Sequence, residues 1–163
     1  YFLTPATVSL AIPLYRQLEL LKKHPVAIMG GILAGVLTAL LSIFVMSLLF
    51  DLNHEQYVTL LPKSITTAIG MGVSEKMGGL VALTVVAISV TGIAGNVMAR
   101  FVLKMVKVKD PIAQGLAIGT SSHALGTTKA MEIGQVQGAM SSLAIVVAGV
   151  LTVVFSGIFA NFI

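Results

Sequence analysis

The sequence predicts an all-α integral membrane protein, a polytopic helical bundle that forms a single transmembrane domain over residues 1–163. Apolar residues make up 56% of the chain and charged residues only 10%, whereas soluble chains usually carry about 25% charged residues. The mean hydropathy is +1.00. Three apolar stretches also reach the length of about 20 residues that crosses the hydrocarbon core. We therefore expect about three full spanning helices plus two or three broken or re-entrant elements.

The first element is predicted to be broken, because two prolines interrupt the apolar residues 4–13. Each proline removes a backbone donor and kinks or ends a helix. This discontinuous helix should lead into an amphipathic segment at residues 14–23. The sequence begins on Tyr1 without an initiator methionine and shows no signal peptide, so we expect one or more helices upstream of it.

The three predicted spans are residues 26–50, 80–102 and 139–163. Basic residues gather before the first span and after the second, while the loop that begins at Asp51 is acidic. Because basic loops tend to stay in the cytoplasm, both basic clusters should face inward and the acidic loop outward. The basic residues are Arg16, Lys22, Lys23 and His24 before the first span, and Arg100, Lys104, Lys107 and Lys109 after the second.

Residues 57–79 would carry the second basic cluster to the wrong face if they crossed the membrane. A re-entrant hairpin that enters from outside near Pro62 and returns near Gly78 and Gly79 removes this conflict. Residues 111–134 could mirror it from inside, which would place two broken elements opposite each other, as in secondary transporters. The alternative is that both segments are ordinary spanning helices with a few tolerated polar residues.

Two polar stretches, residues 61–70 and 119–129, contain the candidate binding residues. Hydrocarbon leaves charges and unpaired backbone groups unsatisfied, so polar groups at depth indicate a pathway or a binding site. The N-terminus of a half-helix holds an anion through its free N–H groups and its dipole, and hydroxyl and ammonium groups add donors. We predict a carboxylate site. Its substrate-binding residues are Lys63, Ser64, Thr66, Thr67, Thr120, Ser121, Ser122, Thr127 and Lys129.

Three ionisable residues have structural alternatives. Lys63 either binds substrate or extends its ammonium to the outer interface. Lys129 either contacts substrate or pairs with Glu132 on one helical face. His123 is the only histidine in a predicted membrane element, and an ordinary pKa of about 6.5 suits a proton carrier. Its alternative is a buried histidine whose ring is satisfied by neighbouring hydroxyls.

Enzymatic motifs are absent from the sequence. His24, His54 and His123 lack the mutual spacing of metal ligands, and Gly70-Met71-Gly72 lacks the third glycine of a dinucleotide fingerprint. There is no cysteine and therefore no thiol chemistry. We expect no enzyme activity, no cofactor and no metal. We also expect no nucleic acid, because a basic loop beside an apolar helix is typical of topology rather than of nucleic-acid binding.

Glycines with small-xxx-small spacing let helix backbones approach closely. They serve either packing within the chain or a homo-oligomer interface. The pairs are Gly31 with Gly35, Gly115 with Gly119, and Gly134 with Gly138.

Four segments resemble the LrgB/CidB family of multi-pass bacterial inner-membrane proteins, whose plant relative is the plastidal glycolate/glycerate translocator. The segments read TPATVSLAIPLY at 4–15, LPKSITT at 61–67, DPIAQGLAIGT at 110–120 and SHALGT at 122–127. The resemblance covers essentially the whole chain and implies about two further helices upstream. One departure is Ala68, which stands where the family commonly has proline after the Thr-Thr pair.

The resemblance implies two functions. Family members are described as antiholin-like or holin-like proteins that control murein hydrolase activity and cell lysis, with a small holin-like membrane protein as partner. They are also described as carriers of small monocarboxylates such as glycolate, glycerate, pyruvate or lactate. Because the hydroxyls, both lysines and His123 concentrate at two predicted helix breaks, we expect a carrier that alternates its access, with proton coupling at His123. The antiholin-like role is the alternative.

Overall fold

The computed structural model describes residues 15, 22, 23 and 25–163. The broken helix predicted for residues 4–13 and most of the amphipathic segment lie outside this part of the chain. Every element of the described residues is helical, which confirms the all-α class. The helices are α1 (Pro25–Leu49), α2 (His54–Leu60), α3 (Thr67–Lys76), α4 (Val81–Met105), α5 (Pro111–Ile133) and α6 (Gln135–Phe159), followed by a 3-10 turn (Ala160–Phe162).

Three of these helices are long and apolar enough to cross a membrane: α1, α4 and α6 with its final turn. Helices α1, α4 and α6 each have 25 residues, or about 37 Å at 1.5 Å per residue. Large apolar side chains such as Val97 and Val150 are exposed on them, which suits contact with lipid rather than water. The three predicted spans are thus confirmed as helices.

Two predicted boundaries differ from the structure by three or four residues, because α4 ends at Met105 and not at residue 102, and α6 begins at Gln135 and not at residue 139. The first turn of α6 is polar and does not fit the apolar pattern, so the sequence-based prediction began this helix too late. In the structure, Gln137 Nε2 donates to Gln114 Oε1 over 3.0 Å, so a polar contact with α5 stabilises this turn.

Helices α2 and α3 form a hairpin that enters and leaves at one end of the bundle, and we call it the outer hairpin (residues 54–76). Asn53 and Gln56 cap the start of α2 reciprocally. Thr59, in α2, accepts the Leu80 N–H over 2.8 Å, and Thr84 lies 2.7 Å from Ser74 of α3. Both legs therefore contact the first turns of α4. The two legs have 7 and 10 residues, far fewer than a span needs.

Helix α5 is a second hairpin, the inner hairpin (residues 111–133), whose legs meet at His123. A Cβ on Gly126 would lie 3.0 Å from Ile118 Cγ2, although eight residues of continuous helix cover about 12 Å. The chain therefore doubles back. The Asn96 amide of α4 donates to the Thr128 hydroxyl, and Arg100 donates to the backbone carbonyl of Glu132. The second leg therefore returns toward the end of the bundle that carries the second basic cluster.

The two hairpins thus enter from opposite ends, as the sequence predicts. The outer hairpin starts beside the acidic loop, which we call the acidic end, and the inner hairpin starts at Pro111 beside Lys109, which we call the basic end. The alternative, two ordinary spanning helices, is wrong because each segment turns back beside α4.

Close packing of small residues holds the inner hairpin in the bundle. A Cβ on Gly119 would lie 2.8 Å from Ala144 Cβ of α6, and one on Gly31 of α1 would lie 3.1 Å from Leu116 Cδ1. These glycines pack within the chain, which supports that alternative over an oligomer interface. A buried stripe on α1 completes the core, namely Ile28, Ile32, Val36, Leu40 and Ile43.

Thr84 offers a test of how the outer hairpin is joined to α4. Its Oγ1 lies 2.9 Å from Thr59 O and 2.7 Å from Ser74 Oγ, so it can donate to the first and accept from the second. Thr84→Val keeps the shape and leaves both groups without this partner. We expect a loss of about 1–2 kcal/mol in the free energy of unfolding, measured by titration from mild detergent into SDS.

The matched control is Thr38→Val. The Thr38 hydroxyl is exposed and bonds only to Ala34 O of its own helix, so the change should be within about 0.5 kcal/mol. Equal losses in the two variants would contradict the assignment.

Candidate functional site

The two hairpins reach α4 at the same residue, Ile88. The inner hairpin does so through its tip, and the outer hairpin through Gly70 of α3, where an added Cβ would also lie 3.5 Å from Pro62 O. His123 Nε2 lies 2.9 Å from Ile88 O, and a Cβ on Gly70 of the outer hairpin would lie 2.5 Å from Ile88 Cδ1. Ile88 is completely buried. On the other side, Ile69 Cδ1 lies 3.1 Å from a Cβ built on Gly149, well inside α6. The two irregular segments therefore lie at a similar depth in the interior of the bundle.

The outer tip (residues 61–66) ends at an uncapped helix start. Thr66 is the N-cap of α3 with extended backbone, but its side chain makes no capping hydrogen bond to the described residues. The first N–H groups of α3 lack partners within the helix, and they point into the tip. Such a terminus is suited to an anion.

Lys63 and Ser64 lie together in this outer tip. Ser64 is 8% exposed, and Lys63 Nζ donates to its hydroxyl over 3.1 Å. Lys63 itself is half-buried, so its ammonium lies within the protein surface rather than fully extended from it. Thr66 and Thr67 are also half-buried. Of the four predicted residues of the first polar stretch, Lys63 and Ser64 are in direct contact, and Thr66 and Thr67 follow them at the start of α3.

The inner tip turns on His123, whose backbone has φ 42° and ψ −139°. These angles resemble the first central position of a type II′ turn, which glycine usually occupies. A non-glycine residue there costs on the order of 1–3 kcal/mol. Because a carbonyl oxygen only accepts, the bond to Ile88 O requires a proton on Nε2. The ring is 4% exposed and is therefore held by packing as well as by this bond.

Two glycines of α4 make room for the inner tip. A Cβ on Gly92 would lie 2.6 Å from His123 Cε1, and one on Gly95 would overlap the Ser122 side chain. Ser122 is 3% exposed. Sequence reasoning did not single out these glycines, which are three residues apart and so do not match the small-xxx-small spacing.

Thr127 joins the inner tip to α6. Its hydroxyl lies 2.9 Å from His123 O and 2.7 Å from Ser141 Oγ, and the residue has no exposed surface. The hydroxyl satisfies the His123 carbonyl just after the break. Ser121 is exposed, lies 3.0 Å from the Ser122 hydroxyl and remains at the tip.

Two predicted residues lie away from these tips. Thr120 faces α1, where its Oγ1 would be 2.6 Å from a Cβ on Gly35, and its hydroxyl bonds to Leu116 O of its own helix. Lys129 is six residues past His123, or about 9 Å along the helix, and its Nζ lies 2.6 Å from Glu132 Oε2. The ion-pair alternative therefore describes the observed contact of Lys129.

Asn96 is a polar residue that the sequence reasoning missed. Its Nδ2 donates to Leu125 O over 2.7 Å and to Thr128 Oγ1 over 2.8 Å, so it pairs the backbone just after the break. A lone amide inside a predicted span was the available signal.

The chemistry of the two tips favours anions. Residues 61–67 and 120–127 contain no Asp or Glu, while they supply hydroxyls, an imidazole, an ammonium and free N–H groups. Within the described residues no group of three or more His, Asp or Glu side chains is arranged to hold a metal ion.

The glycine contact with the inner tip can be tested by Gly92→Ala. The added methyl must displace the His123 ring, so we expect a net loss of about 1–3 kcal/mol in the free energy of unfolding. Gly30→Ala is the control, because a Cβ there meets no atom of the described residues within 4 Å, and it should be neutral or stabilising by up to about 1 kcal/mol. Detergent-based thermal unfolding distinguishes the two, and a harmless Gly92→Ala would refute the close contact.

The strain at His123 gives a second test. His123→Ala and His123→Gly both remove the imidazole, but only glycine adopts the backbone angles freely. We expect the free energy of unfolding of the glycine variant, measured in detergent, to exceed that of the alanine variant by about 1 kcal/mol or more. An alanine variant of equal or greater stability would show that the turn is not strained.

Comparisons with known proteins agree with this architecture. The sequence profile of the LrgB-like family matches residues 1–162. The chain is 39% identical over 163 residues to proteins named Antiholin-like protein LrgB from Bacillus cereus (strain B4264) and Bacillus anthracis (strain A0248). Each match covers 100% of this chain and 71% of the relative. No solved structure matches the chain. On the profile and on these identities, the chain belongs to the LrgB-like family.

Proposed function

We propose that this chain is an antiholin-like protein of the bacterial inner membrane. The name shared by its relatives supports this role, and three helices able to span a bilayer are consistent with it. In this role a small holin-like membrane protein is the partner, and the effect is restraint of murein hydrolase activity and lysis. The proposal assigns no catalysis and no cofactor to the chain.

Carriage of small monocarboxylates is the second candidate, and one observation favours it. Two opposed hairpins converge on Ile88, and opposed broken elements near the midplane are the layout of many secondary transporters. A protein that only associates with a partner has no need of two broken elements in its interior. The names of the relatives favour the first role, whereas the geometry favours this one.

A carboxylate would have distinct partners at each tip. At the outer tip, the free N–H groups of α3 and the hydroxyls of Thr66 and Thr67 supply donors, and Lys63 supplies charge. At the inner tip, Ser122 and Ser121 supply hydroxyls, and His123 is the candidate proton site. Glycolate, glycerate, pyruvate and lactate share the small carboxylate that this donor set would take.

The order of the elements supports alternating access. Helix α1 followed by the outer hairpin runs through the bundle in one direction, and α4 followed by the inner hairpin runs in the other. Inverted units of this kind rock against each other around a central site in known carriers. Lysis control is compatible with carriage, since it would follow indirectly from carboxylate flux.

One set of variants separates the two roles. Full-length protein is prepared as wild type, Thr66→Val, His123→Gly and the control Thr38→Val. Proteoliposomes report uptake of labelled glycolate and pyruvate with and without an inward proton gradient. Cells lacking their own copy report lysis and murein hydrolase activity.

A carrier predicts saturable uptake that falls at least about 10-fold in both tip variants, because the hydroxyl and the imidazole act on substrate or proton, and that persists in Thr38→Val. Loss of gradient dependence in His123→Gly alone would assign proton coupling to that ring. No uptake by inserted wild-type protein would exclude carriage of these acids. An antiholin-like partner predicts that lysis control survives in all variants that insert, and absence of any lysis effect would overturn that role.

A further inference from the structure

A basic pocket lies at the basic end, between the end of α4 and the start and end of α5. It has a volume of about 440 Å³. None of the functions proposed above uses it. Its lining combines four cations with three apolar side chains and one amide, namely Arg100, Lys104, Lys107, Lys109, Leu103, Val108, Ile133 and Gln114.

The positive charge of this pocket is not neutralised by the neighbouring protein. None of the four cations forms an ion pair within the described residues, because Glu132, the acidic residue beside Arg100, is paired with Lys129. Asp110 is nearby in sequence, but its carboxylate accepts the Ala113 N–H over 2.8 Å and caps α5. The C-terminal dipoles of α4 and of α5, which ends at Ile133, contribute only about half a negative charge each. A net excess of at least two positive charges therefore remains.

One of these lysines, Lys107, has an unusual backbone conformation. Lys107 follows α4 with φ 57°, a left-handed conformation that glycine usually takes after a helix. The turn is closed by Val108 N–H donating to Leu103 O over 3.0 Å. A lysine at this point places a fourth cation at the pocket, where glycine would fit the backbone with less strain.

The pocket also borders the lipid-facing side of α4. Val97, Phe101 and Met105 of that helix are 73%, 66% and 62% exposed, so acyl chains reach the level of Arg100 and Lys104. Leu103, Val108 and Ile133 give the pocket its own apolar wall. Basic pockets between membrane helices bind the headgroups of anionic lipids.

We propose that this pocket binds the phosphate headgroup of an anionic phospholipid. The ammonium and guanidinium groups hold the phosphodiester, and the apolar wall packs against the first part of an acyl chain. A free phosphate ion would use the same cations but would gain nothing from the apolar wall.

The test uses delipidated full-length protein in mild detergent and native mass spectrometry, which counts bound lipids. The probes are phosphatidylglycerol, phosphatidylcholine and inorganic phosphate. The variants are Lys104→Gln/Lys107→Gln, the rescue Lys104→Arg/Lys107→Arg, and the control Lys22→Gln/Lys23→Gln, which removes the same charge from the first basic cluster.

We expect wild-type protein to prefer phosphatidylglycerol over phosphatidylcholine, and the glutamine variant at 104 and 107 to weaken phosphatidylglycerol binding by about 10-fold or more. The arginine variant and the control should keep wild-type affinity, and the arginine variant shows that the substituted positions still allow folding. Equal weakening in the control would mean that general surface charge binds the lipid and would overturn the pocket. Displacement of the lipid by millimolar phosphate, or equal binding of both lipids, would overturn the lipid assignment.

Discussion

Backbone hydrogen bonding in hydrocarbon is the constraint on which this structure depends. A helix that stops inside the membrane exposes N–H and C=O groups that lipid cannot satisfy, so each break must be enclosed by protein. Here α1, α4 and α6 provide the enclosure, and both hairpins contact α4 at Ile88. Asn96 and Thr127 pair carbonyls just after the inner break. The three spans therefore shield much of the two tips, including the buried residues Ser64, Ser122, His123 and Thr127.

Glycine residues determine how closely the spanning helices approach the inner hairpin. Gly92 and Gly95 admit the inner tip to α4, while Gly119 brings α5 against α6. This close packing also explains how an unfavourable backbone conformation persists at His123, since the surrounding contacts determine it more strongly than local preference does. The His123 ring thus bonds to the Ile88 carbonyl, while its backbone forms a turn that glycine would form more easily. Strain at an interior polar residue is a feature that functional sites often share.

Much of the fold follows from the sequence, because long apolar stretches and the placement of basic residues report on a whole segment. They predict the three spans and both re-entrant hairpins. The position of the inner break within 119–129 does not follow, because it depends on where Gly92 and Gly95 of another helix leave room. Which helix Thr120 faces, and which residue Lys129 contacts, depend on the direction that each leg takes at the turn. The local sequence pattern does not specify that direction. The partners of Asn96 could not be predicted for the same reason, since they lie about thirty residues away.

The hairpins have a consequence for the biogenesis of the protein. Helices α1, α4 and α6 are apolar enough to enter the bilayer one at a time, whereas a half-length hairpin with a polar tip is not stable against lipid alone. The outer hairpin must wait for α4, and the inner hairpin must wait for α6, which is synthesised after it. Until then the polar tip has to stay in the translocation machinery or at the aqueous surface. The interior site is consequently assembled only after the α6 helix has left the ribosome, so a nascent chain that lacks α6 has spans in the membrane but no formed interior.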